Sequence, residues 1–150
     1  MPREFRHIVR IAETDINGTL KVPYAISNIK GIGINLAHLI IKRAGINPET
    51  RIGFLSDEEI EKIADVITHP AKYNIPDWYL NRRKDLETGK NLLVIGADLT
   101  FRVKTDIERM KAIRSWRGYR HAYGLKVRGQ RTKTTGRIGK AVGVKKKRRG

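Results

Sequence analysis

Cysteine is absent from the 150 residues, which excludes disulfide staples, thiolate metal sites and thiol nucleophiles. No apolar run approaches the roughly 18 residues that span a membrane. The opening MPREFRHIVR lacks the apolar stretch of a signal peptide. The basic end has few large apolar residues to insert, which argues against a membrane-surface anchor, because stable anchoring takes two signals. The expectation is a cytosolic protein with no membrane partner. Acid is also missing, but only locally. From Arg109 to Gly150 there are 16 Lys and Arg and no Asp or Glu. The whole chain has 32 basic and 15 acidic residues, so residues 1–108 hold 16 basic and all 15 acidic ones, a net of +1. A near-neutral body therefore carries a cationic extension of +16. Like charges at that density repel one another and need an anionic partner to lie down.

Catalytic patterns are missing as well. His7, His38, His69 and His121 are scattered, without the spacing of zinc ligands. His38 lies among apolar helix residues and reads as a packed or surface histidine. Asp57, Glu58, Glu59 and Glu61 read as a helix start rather than a carboxylate site. No phosphate loop or nucleophile elbow occurs. No enzymatic activity, metal or cofactor is expected.

What is present suits one compact domain and an arm. Residues 5–22 read as a small β-hairpin with Asn17-Gly18 as its turn. Pro23 ends the second strand or opens a helix. AISNIKGIGINLAHLIIKRAGI, residues 25–46, predicts two helices joined by a tight turn at Gly31-Ile32-Gly33, the second ending at Ala44 with Gly45 as a left-handed cap. Ser56 and Glu59 form a capping box before the helix face Ile60, Ile63, Ala64 and Ile67, which His69-Pro70 closes. These three helices are expected to share one core. Residues 70–98 are less regular, with a short helix near Pro76 and a turn at ETGKN. Leu99, Val103, Ile107 and Met110 mark a long helix running to about Trp116. The fold class is therefore mainly α, divided into a body at 1–70, a connection and long helix at 71–123, and an extended basic tail at 124–150.

Two constellations could bind a partner. The Lys30-Gly31-Ile32-Gly33 turn, with Ile26, Ile29, Ala37, Ile40 and Ile41 around it, resembles the helix-hairpin-helix pattern of nucleic-acid-binding proteins. A helix starting abruptly there aims free N–H groups at a phosphate. The same glycines would equally serve close helix packing or a protein contact, and both readings stay open. The stronger signal is HAYGLKVRGQRTKTTGR, residues 121–137. Arg offers a planar fork to phosphate and Lys a mobile charge. Trp116, Tyr119, His121 and Tyr123 lie among Arg114, Arg117 and Arg120, so stacking faces sit beside cations. The helical spacing nevertheless favours core packing for Trp116 and Tyr119. Arg114, Lys126 and Lys140 join the candidate cations.

RGYRHAYGLKVRGQRTKTTGR, residues 117–137, resembles the signature of the universal small-subunit ribosomal protein thirteen family, and the likeness covers essentially the whole chain. IPDWYLNRRKD (75–85), TKTTGR and AVGVKKK look like its archaeal and eukaryotic branch. The resemblance implies a helix–two-turns–helix body, binding to small-subunit rRNA at the top of the head, and a loose heterodimer with small-subunit protein nineteen. It also implies intersubunit bridges to large-subunit rRNA and large-subunit protein five, and a tail that can approach the P-site tRNA. The rRNA contacts it carries onto this chain are Arg117, Arg120, His121, Arg128, Gln130, Arg131, Lys133 and Arg137. Tyr119 and Tyr123 fall where the family varies, so no role is carried onto them. A tail from Gly124 to Gly150 could reach at most about 90 Å when extended. The rival readings are a DNA-binding helix-hairpin-helix protein with a basic tail, and a protein-interaction module whose tail is a localisation signal.

Overall fold

Partial alternation of apolar and polar residues starts the chain as a two-stranded antiparallel sheet. In the computed structural model, which describes residues 5–136, β1 (Ile8–Ile11) pairs with β2 (Thr14–Asn17), setting Val9 opposite Ile16 and Ile11 opposite Thr14. This register buries Val9, Ile11 and Ile16 on one face. The turn is Ala12-Glu13, at φ 46° and 62°, and not the expected Asn17-Gly18. A hairpin closed at Asn17-Gly18 would run its second strand into Pro23, which has no N–H for the ladder. Asn17-Gly18 instead turns the chain out of the sheet. Asn17 Oδ1 accepts from the Thr19 N–H at 3.0 Å, and the Gly18 N–H donates to the His7 carbonyl at 2.7 Å.

The helices follow the local signals closely. Pro23 lies in the first turn of α1 (Val22–Ser27), where its missing N–H costs nothing. α2 (Ile34–Ala44) ends at Gly45 with φ 72°, the left-handed cap expected there. α3 (Asp57–Thr68) starts on a complete capping box: Ser56 Oγ accepts from the Glu59 N–H at 3.3 Å, and Glu59 Oε2 accepts from the Ser56 N–H at 2.8 Å. Ile26 from α1, Ile40 and Ile41 from α2, and Ile63, Val66 and Ile67 from α3 meet Val9, Ile11 and Ile16 in one core. Each isoleucine buried in this way contributes about 1.5–3 kcal/mol.

The connection after α3 is irregular but well bonded. Asp77–Tyr79 form a single 3₁₀ turn after Pro76, shorter than a helix. Ile75 and Leu80 complete the core. Asp85 is buried, and the Arg82 guanidinium beside it, helped by a 3.0 Å bond from Thr88 Oγ1, holds its carboxyl below the ordinary range against the effect of burial.

The described residues divide into two compact units between Arg102 and Val103. The long helix α4 (Gly96–Ala112) crosses that division and stops short of the expected Trp116. Arg114 takes φ 55°, and Ser115 begins a further helix, α5 (Trp116–Ala122), which the apolar spacing did not announce. Residues 123–136 form no regular element, and the backbone turns through left-handed Gly124, Gly129 and Gly136. Among the described residues no helix is long and apolar enough to cross a membrane.

Asp65 fastens the end of α3 to the turn that follows. It accepts from the Tyr73 hydroxyl and from Lys72 Nζ at 3.0 Å, and it faces His69 Nδ1 at 2.9 Å. Tyr73 first, then Lys72 and His69, hold its carboxyl down from the ordinary 3.8 to about 2. A depressed carboxylate stabilises the fold above its unfolded pKa and loses that contribution as pH falls through the folded one. Urea unfolding over a pH series should therefore show Asp65→Asn less stable by a constant amount well above pH 3.8, with the gap closing from there towards about pH 2. A gap undiminished at pH 2 contradicts the assignment.

Candidate nucleic-acid interface

The cationic end is organised by a corner between α4 and α5. Ser115 Oγ donates to the Met110 carbonyl at 2.9 Å and accepts from the Gly118 N–H at 3.1 Å, so one hydroxyl closes one helix and caps the next. Gly118 makes the approach possible: a Cβ there would stand 2.1 Å from the Met110 carbonyl oxygen. The residue α5 buries is this glycine, not its aromatics.

That choice overturns the expectation of core packing for Trp116 and Tyr119. Trp116, Tyr119 and Tyr123 are 72%, 51% and 67% exposed. Trp116 and Tyr119 stack nearly parallel, with centroids 5.6 Å apart and planes at 9°. Tyr123 tilts against Tyr119 at 4.7 Å and 49°. The spacing correctly put the rings on one side of a helix, but the surface that would bury them is taken by a backbone contact.

Most of the predicted cations of this segment are exposed. Arg114, Arg117, Lys126, Arg128, Arg131 and Lys133 are exposed, as is Gln130, whereas Arg120 and His121 are half-buried. Arg120 Nε donates to the Lys126 carbonyl at 2.8 Å, tying the start of the tail back to α5, and its guanidinium lies 5.9 Å from the Trp116 ring centre. Gln130 Oε1 accepts from the Arg128 N–H at 3.0 Å and shapes a local bend. Among the described residues, Arg114, Arg117, Arg120, Lys126, Arg128 and Arg131 form no ion pair. Arg137 and Lys140 lie outside the described residues.

In the body, the four residues of the Gly31 turn meet different surroundings. Lys30 Nζ donates to Thr100 Oγ1 at 2.8 Å, and the Lys30 carbonyl accepts from the Gly96 N–H at 2.8 Å. Gly31, at φ 105°, lies against the chain itself: a Cβ would stand 2.6 Å from the Val94 carbonyl oxygen. Asn81 fixes that neighbour, donating to Val94 O at 2.6 Å and accepting from the Val94 N–H at 3.0 Å. Ile32 is in the core. Gly33, the N-cap of α2, is exposed, has open space beyond it and provides no side-chain cap. α2 also lines an open cleft of about 330 Å³ with Asn35, His38, Leu39 and Lys42, facing Tyr79 and carrying no carboxylate. Among the described residues no cluster of His, Asp or Glu could hold a metal ion.

Ser115, Asn81 and Gly118 shape the backbone around these candidate residues and are not singled out by motif or spacing. Ser115 is the one legible of the three, being an N-cap residue type directly before a new helix, but apolar spacing carries the preceding helix through it.

Comparison with known proteins finds relatives along nearly the whole chain. The family model described as ribosomal protein S13/S18 matches residues 10–138. A protein named small ribosomal subunit protein uS13 from Staphylothermus marinus is 63% identical over 147 residues, covering 98% of this chain and 97% of the relative. Its namesake from Hyperthermus butylicus is 61% identical over 144 residues, covering 96% and 95%. That from Methanothermobacter thermautotrophicus is 50% identical over 149 residues, covering 99% and 100%.

The corner geometry has a direct consequence. The atom a Gly118 side chain would strike is backbone, so no rotamer change relieves it, and Gly118→Ala should open the corner. At an overpacking cost of about 1–3 kcal/mol, amide exchange across α5 should quicken roughly 5- to 150-fold while the α1–α3 core is unaltered. Unchanged exchange at Trp116–Ala122 would contradict the packing role given to Gly118.

Proposed function

The chain belongs to the ribosomal protein S13/S18 family, and from that premise we propose that this structural, non-enzymatic constituent of the small ribosomal subunit works at the top of the subunit head in the cytoplasmic ribosome. Its primary partner is small-subunit rRNA. The observation that carries this reading is the segment from Arg114 to Arg131, where cations that form no ion pair among the described residues alternate with exposed rings. Such a surface gains by releasing the counterions condensed on a folded polyanion.

The finer assignments rest on the resemblance in residues 117–137 and on its extent along the chain. The tail, residues 124–150, threads between rRNA helices and approaches the P-site tRNA. Residues 71–123 present the rings and arginines that anchor the start of that tail. The protein pairs loosely with small-subunit protein nineteen and takes part in the bridges to large-subunit rRNA and large-subunit protein five. At the Lys30–Gly33 turn, Gly33 is the part left for an outside phosphate or protein contact, because Lys30, Gly31 and Ile32 are engaged within the chain.

Neutralising Arg128, Arg131 and Arg137 to Gln tests the rRNA reading. Binding to small-subunit rRNA followed across a salt series should weaken, and the slope of log affinity against log salt should flatten by about 0.7–0.9 for each phosphate no longer neutralised. An unchanged slope, with undiminished incorporation into salt-washed subunits, would remove these residues from the interface.

A further inference from the structure

We propose that the exposed side of α5 is a stacking platform for unpaired nucleobases, with Trp116 and Tyr123 each receiving one base and Arg117 and Arg120 serving the adjoining phosphates. This rests on the rRNA reading above and names the class of RNA structure that its α5 segment takes.

Three observations lead to it. The rings are ordered by one another before any partner arrives, Trp116 stacking on Tyr119 at 9° and Tyr123 leaning on Tyr119 at 4.7 Å. Little side-chain entropy therefore remains to be lost on binding. Tyr119, between two neighbours, is the least exposed of the three at 51%, whereas Trp116 at 72% and Tyr123 at 67% keep free surface at the two ends. Bases can then add to the ends of the ladder and not between its rings. Finally, no carboxylate occurs from Arg109 onward, and Arg114, Arg117 and Arg120 share this segment with the rings.

The charge selects the occupant. Exposed aromatic surface alone would suit a protein or a base, but rings set among uncompensated arginines suit a ligand that combines π faces with negative charge. Unpaired nucleotides have both. A paired RNA helix conceals its base faces within the stack, and its deep major groove is closed to side chains. The platform accordingly favours a loop, bulge or single strand, with little dependence on sequence, since every base has a face to stack.

The test uses the full chain and three fluorescent RNAs of equal length: an unstructured strand, an abasic strand, and a duplex. Trp116→Leu combined with Tyr123→Leu should weaken binding to the unstructured strand by roughly 5- to 150-fold per base, the range of aromatic–base stacks. It should leave affinity for the abasic strand and the duplex unaltered, and leave the salt slope on all three unaltered, because phosphate contacts are untouched. The double Phe variant should restore binding. Equal affinity of the Leu variant and the parent for the unstructured strand overturns the platform, as does an equal loss on the abasic strand, the result expected if the rings serve only the fold or a protein partner. If the parent itself shows no steep salt dependence on any of the RNAs, the rRNA reading of the cationic end fails together with the platform.

Discussion

The last acidic side chain in the sequence is Glu108, and the physical behaviour on either side of it differs accordingly. Before it, cations find partners within the fold: Arg6 meets Asp57, Lys21 meets Glu49, Arg82 meets Asp85 and Arg102 meets Glu87. The exposed pairs among these, Arg6–Asp57 and Lys21–Glu49, contribute little individually, about 0–1 kcal/mol. Their effect is to cancel the field, leaving a body that neither attracts nor repels strongly at a distance. Beyond Arg109, which still meets Asp106 at 3.3 Å, the sequence supplies no further Asp or Glu. Arg120 has a backbone carbonyl and an aromatic ring for company, and the arginines around it remain uncompensated among the described residues. A field summed over so many like charges is long-ranged at low salt and steers a polyanion towards this end of the chain.

Order is also achieved differently on the two sides. The body closes an isoleucine-rich core from three helices and a hairpin, so its stability comes from apolar area removed from water. α4 has no buried side chain, and α5 buries only a glycine. The corner between them is kept by one serine hydroxyl and a close backbone approach, interactions that fix direction well but contribute modestly. A segment built in this way can present rings and guanidinium groups in a set arrangement without enclosing them. Burial of the aromatics would have strengthened the corner and removed the stacking surface.

The parts of the fold legible in the sequence were those decided within a few residues. The Ser56–Glu59 capping box and the Gly45 cap depend on local backbone chemistry and occur as read, and of the two places open to Pro23 the structure takes the helix start. The hairpin turn was decided by competition instead. Asn17-Gly18 is the better turn dipeptide, yet Ala12-Glu13 wins because it sets Val9 against Ile16 and keeps Pro23 out of the ladder. Tertiary register outweighed turn propensity. The rings of α5 failed for a related reason. Spacing tells which residues share a helix face but not whether another element arrives to cover it, and that was determined by Gly118 meeting Met110.

The Gly31-Ile32-Gly33 turn shows why a motif can support two readings at once. Taken as a unit, it is consistent with both close packing and an open helix start. In the structure the two properties belong to different residues. Gly31 is required by packing, because the Val94 carbonyl, held by Asn81, occupies the place of a side chain. Gly33 has no such neighbour, and α2 begins there with no side chain over its first N–H groups. The helix dipole and those uncovered donors give the site a weak positive character. Its strength is far below that of the cationic end, where whole charges replace partial ones. Any polyanion that meets this chain is therefore steered first by the end that lacks acidic side chains, where the summed field is strongest.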